Sequence, residues 1–128
     1  MRGSRGWIAA AAVLALVILV VGVLPTHPVL AATTGSSENL VASLGHFVEY
    51  AILAFVLAVA VDGWRLSLRA VVWSAVLTVG LGWLIEVLQA PLPYRDFQVA
   101  DGLVDMAGVA VGLAVFSVAA RAGAARRR

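Results

Sequence analysis

An all-α membrane protein, a four-transmembrane-helix bundle with both termini in the cytoplasm, is the fold class this sequence predicts, and three observations predict it. First, 62% of the 128 residues are hydrophobic and 12% are charged, with a mean hydropathy of +1.01; a soluble domain keeps about a quarter of its residues charged. A chain this short has no private core large enough to hide that much apolar surface. Second, four apolar segments, 7–24, 41–61, 70–90 and 99–120, approach the ~20 residues that cross a bilayer. Third, eight of the nine Arg fall at alternate segment ends: Arg2 and Arg5, Arg65 and Arg69, then Arg121, Arg126, Arg127 and Arg128. Only Arg95 falls on the other side, and the positive-inside bias then makes the multi-pass protein of a cell membrane cytoplasmic at both ends.

Residues 1–24 form the first transmembrane helix, whose start imitates a secretory signal: Arg residues, an apolar run, then Val29-Leu30-Ala31 as a small-residue cleavage site. The run from Trp7 to Leu24 is longer than the ~7–15 residues of a signal's apolar region, which favours a retained helix; cleavage would leave three helices in the same orientation. Residues 25–40 are rich in Pro, Thr, Ser and Gly and read as an outer loop. Residues 41–120 hold the other three helices. Pro91 and Pro93 stop the third and make 91–98 a stiff outer reversal that holds Arg95 near the helix ends. Trp7, Trp64 and Trp73 fall near the inner boundary, as amphipathic rings do. Residues 121–128 are a basic cytoplasmic tail.

Polar residues inside such helices are expensive and mark working sites or pair with one another. His46, Glu49 and Tyr50 share one helical turn of the second segment. Thr78, Gly82, Glu86 and Gln89 make a stripe on the third. Asp101, Asp105, Gly108 and Gly112 make a column on the fourth, acidic in its outer half and small in its inner half. The glycines Gly82, Gly108 and Gly112 allow close helix packing. At ~1.5 Å per residue, Glu49, Glu86 and Asp105 lie roughly 12, 6 and 9 Å beneath the outer boundary. That depth is within the outer half of a layer ~30 Å thick. The expected site is an outward-facing polar pocket rather than a pore, with His46, Glu49, Tyr50, Glu86, Gln89, Arg95, Asp101 and Asp105 as candidate ligand-binding residues. Five acids, Asp96 included, against Arg95 and a neutral His46 leave a formal charge of minus four. Such a cluster sheds charge by holding protons or by taking up a cation. Arg95 offers a planar fork for a carboxylate or a phosphate, and His46 a metal ligand, a proton carrier or a hydrogen-bond donor.

The plainer readings compete at every position. Glu86 and Gln89 also serve as interhelical glue, worth about 0.6–2 kcal/mol per contact. Arg95 with Asp101 also staples a loop, and Tyr50 also belongs to an interfacial belt. The absence of Cys excludes disulfides, thiolate metal sites and a Cys nucleophile. No H-E-x-x-H spacing offers a zinc site. The Arg residues hug helix ends without interleaved aromatics, so the pI near 9.9 points to membrane lipids as partners and not to nucleic acid.

His46-Phe47 with Tyr50, Glu86-x-x-Gln89, Arg95, Asp101 and the pair Gly108 and Gly112 together resemble the VanZ-like family of small integral membrane proteins, over about residues 44–112. Three positions depart from the family's pattern. Ala42 and Ser43 stand where members often carry Asp-Lys, and Asp105 stands where they carry Asn. The resemblance implies a link to tolerance of glycopeptide antibiotics of the teicoplanin type, without a reaction. Three functions follow, in order of preference: an envelope binding or accessory protein for a lipid-linked or amphiphilic small molecule; a membrane-embedded hydrolase or transferase acting on a lipid-linked substrate; and a structural subunit. An excess of acids over donors weighs against pure glue. Nothing in the residues names a cofactor or an oligomeric state.

Overall fold

The computed structural model describes residues 2–24, 38–93 and 99–126. They form four helices: α1 (Arg2–Val23), α2 (Glu38–Asp62), α3 (Leu68–Gln89) and α4 (Val99–Ala125). All four are long and apolar enough to cross a membrane, and the described residues contain no strand. Inside hydrocarbon every backbone N–H and C=O must be satisfied within its own segment, which leaves the helix as the form these segments take. α1, α2 and α4 run beyond the apolar segments into their charged flanks. In α1 and α4 helical bonding continues there because long Arg stems reach the headgroup layer while the backbone stays paired, and in α2 the extensions end on the acids Glu38 and Asp62.

The ends have local causes. Gly63 adopts φ +64°, the one positive φ among the described residues, and its N–H donates to the Val59 carbonyl at 2.8 Å, a left-handed stop that terminates α2. Five residues later α3 begins behind Ser67, whose Oγ accepts from the Ala70 N–H at 3.1 Å. Pro91 follows the last residues of α3, and the Leu92 N–H closes a tight turn onto the Gln89 carbonyl at 2.8 Å. Asp101 sits in the first turn of α4, where a negative charge complements the helix dipole.

α2 is the central element. It packs most extensively on α4 and also contacts α1 and α3. Gly108 lies on the backbone of Phe47 and Gly112 on that of Ala51; one turn further, the rings of Phe116 and Phe55 meet edge to face, centroids 6.2 Å apart. The partners advance together along both chains, so α2 and α4 run parallel. A Cβ at Gly108 would collide with the Phe47 carbonyl oxygen, and one at Gly112 with that of Ala51. These two glycines therefore set how closely the helices approach, as small residues do in membranes.

The bundle thus has two ends. At one, α1 and α3 start and α2 and α4 finish, and Trp7, Trp64 and Phe55 form an edge-to-face chain with centroids 5.9 and 5.8 Å apart. This is the arginine end. The opposite end carries the acids.

Candidate functional site

The buried face of α3 is Ala70, Ser74, Thr78, Gly82, Ile85, Glu86 and Gln89, which is the polar and small stripe expected from its spacing. That of α4 includes Asp105, Gly108, Val109, Gly112, Phe116 and Ala120. Glu86 and Asp105 are 8% and 7% exposed, so both carboxylates point into the bundle and away from lipid. On α2, Tyr50 is 2% exposed, while its neighbour Glu49 and, one turn nearer the end, His46 are half-buried.

These side chains meet at the junction of three helices. His46 Nδ1 lies 3.2 Å from Asp105 Oδ1, with the two side chains 22% and 10% exposed. The His46 and Tyr50 rings are nearly parallel, 16° apart, with centroids separated by 6.3 Å. Gly82 of α3 makes room for both: a Cβ there would stand 3.3 Å from the Tyr50 hydroxyl and from Asp105 Oδ2. Tyr50 feels the charges of Asp105, Glu49 and Glu86, and His46 those of Asp105, Asp101 and Glu49. Six of the eight candidates thus form one electrostatic neighbourhood, with the half-buried His46, Glu49 and Asp101 on its open side.

The other two differ. Gln89 is 5% exposed and turns toward α1, where its Nε2 donates to the Gly22 carbonyl at 2.6 Å. This bond ties α3 to the end of α1, the role of interhelical glue. Arg95, with Asp96, lies outside the described residues.

Below the cluster the stripe on α3 continues as Thr78 and Ser74, both fully buried. Ser74 Oγ donates to the Ala70 carbonyl at 2.5 Å, which satisfies a hydroxyl in the manner usual for apolar surroundings. Thr78 Oγ1 has no hydrogen-bond partner among the described residues. Among the described residues no three His, Asp or Glu side chains converge in a way that could hold a metal ion. What the arrangement offers is a paired imidazole and carboxylate, a phenol and three further acids, suited to accepting several hydrogen bonds from a polar ligand.

One feature the residue pattern did not reveal is an apolar groove of about 640 Å³ between α1, α2 and α3, bordered by Arg69 and Trp73 at the arginine end. The signal was present in Ala11, Ala12 and Ala15, small side chains that leave space beside α1.

Fold and cluster together define a small multi-pass helical membrane protein with acidic side chains buried between its helices. A family model described as VanZ/LLP1 matches residues 7–120, and the chain belongs to the VanZ/LLP1 family. The match includes α1 and so extends beyond the stretch 44–112 that carried the resemblance. Neither the curated proteins nor the solved structures give a significant match.

Proposed function

We propose that this protein is a binding or accessory protein of the cell envelope, with the polar cluster open toward the outer face of the membrane. There it receives the polar part of a lipid-linked or amphiphilic small molecule. Its physiological effect is tolerance of glycopeptide antibiotics of the teicoplanin type, which carry an acyl chain beside many hydrogen-bonding groups. The observation that supports this reading is the meeting of His46 and Tyr50 of α2 with Asp105 of α4 against Gly82 of α3, with Glu86 buried one turn along α3 and His46 still partly exposed. A hydrogen-bonded imidazole and carboxylate at the partly open side of the bundle can take up a polar group from outside, as a fully sealed structural network cannot. The distribution of Arg supports the outward orientation.

The test compares cells expressing the protein with cells expressing Asp105→Asn, Glu86→Gln or Asp101→Asn, at equal membrane abundance. Susceptibility to teicoplanin and to a glycopeptide without an acyl chain is measured. The expected result is tolerance confined to the acylated compound and reduced at least fourfold by Asp105→Asn and Glu86→Gln. Unchanged tolerance in both variants, with normal abundance and melting, would remove the cluster from the function.

A further inference from the structure

We infer that the groove between α1, α2 and α3 is a built site for one anionic phospholipid, whose acyl chain lies along α3 and whose phosphate sits on Arg69. The inference is independent of the polar cluster, which lies toward the other end of the bundle. Three observations support it.

The first is dimension. The α3 side of the groove runs from Arg69 to Leu81, twelve residues or about 18 Å of helix, close to the depth of one leaflet, about half of a ~30 Å hydrocarbon layer. The second is composition. On α1 the wall is Ala11, Ala12 and Ala15 beside Ile8, with Leu57 across on α2. Small side chains there keep open a trough where bulkier ones would close the gap between α1 and α3. The third is charge. Among the described residues Arg69 is the single charged one bordering the groove; it is exposed, and one turn on stands Trp73, 53% exposed, an interfacial anchor at the level where an acyl chain meets its headgroup. Around that end Arg5, Arg65 and Arg121 face a single acid among the described residues, Asp62. An apolar trough closed at one end by a guanidinium and flanked by further Arg complements an anionic lipid better than a zwitterionic one, whose phosphate is offset by its own cation.

Native mass spectrometry of the full chain tests this, with the protein released from detergent after incubation with phosphatidylglycerol or phosphatidylcholine at equal concentration. The expected spectrum has one retained lipid per monomer and at least a fivefold preference for phosphatidylglycerol, about the worth of one Arg near an anionic surface. Arg69→Gln should reduce that preference toward unity while one lipid is still held. Ala12→Phe fills the trough and should abolish retention of both lipids, whereas Val20→Phe, outside the groove on the exposed face of α1, should change neither. Circular dichroism melting of each variant separates lost binding from lost folding; if Ala12→Phe unfolds, Ala15→Leu takes its place. Equal binding of both lipids by the unaltered protein overturns the assignment. So does phosphatidylglycerol retention unchanged by Arg69→Gln and by the filled groove, or a dimer that disappears on filling the groove, which would make the occupant a second copy of the chain.

Discussion

Glycine at position 112 does something no other residue could, because the Ala51 carbonyl occupies the space a side chain would need. Gly108 meets the same limit at Phe47. Since backbone cannot move aside as a flexible side chain can, Gly112→Ala should separate α2 from α4 and destabilise the bundle by about 1–3 kcal/mol. Gly80 is the control: it is exposed and a Cβ there meets nothing within 4 Å, so Gly80→Ala should be neutral or stabilising by up to ~1 kcal/mol through helix propensity. Gly82 is intermediate. Its added methyl would stand 3.1 Å from Tyr50 Cε1, and both Tyr50 and Asp105 must shift. Gly82→Ala should therefore lower teicoplanin tolerance more than its modest loss of stability accounts for. Melting in detergent, beside the susceptibility assay, ranks the three. A Gly80→Ala loss as large as that of Gly112→Ala would show that helix contact is not the determinant.

Between α3 and α4 much was legible, because hydrophobic surroundings leave polar residues few places to go. The i, i+4 stripe of Thr78, Gly82 and Glu86 could only face other helices, and Asp105 with Gly108 and Gly112 likewise; their burial follows from the cost of exposing acids to lipid. The direction of Gln89 was not legible. It stands one turn beyond Glu86 and the spacing assigns both to one face, yet a helix turns about 100° per residue, and three residues leave Gln89 rotated enough to reach α1. Nothing in a single segment's period tells which of two neighbours a residue at the edge of a stripe will meet. The bond from Gln89 to the Gly22 carbonyl now gives α1 a specific attachment, beside the contact of Ile85 with Gly22. Gln89→Leu retains the volume and removes the donor. It should cost about 0.6–2 kcal/mol and loosen α1 preferentially, read as faster hydrogen exchange in α1 with α2 and α4 unchanged. Uniform acceleration across all four helices would mean that α1 is no separate unit.

At the level of the whole molecule, the number of helices follows from apolar length alone, and their pairing does not. Sequence periodicity could not tell that α2 is the hub, or that α2 and α4 lie parallel along Phe47, Ala51 and Phe55; that depends on small residues in α4 matching backbone in α2. The groove escaped notice for a similar reason, since it is made by what three alanine-rich or leucine-rich faces fail to fill. Orientation is the property of the molecule on which the functional proposal depends. Among the described residues six Arg lie at the end of the bundle that holds Asp62, and Glu49, Glu86, Asp101 and Asp105 lie toward the other; because cytoplasmic flanks retain Lys and Arg, the acidic end should face outward. The chain has no Cys, so single introduced thiols report position without background. Leu40→Cys, exposed at the start of α2, and Leu66→Cys, exposed in the turn between α2 and α3, lie at opposite ends. In intact cells a membrane-impermeant maleimide should label Leu40→Cys and spare Leu66→Cys, with both labelled once the membrane is permeabilised. The reverse pattern would turn the polar cluster toward the cytoplasm, where an acylated antibiotic arriving from outside does not meet it, and the groove beside Arg69 would then open to the outer leaflet.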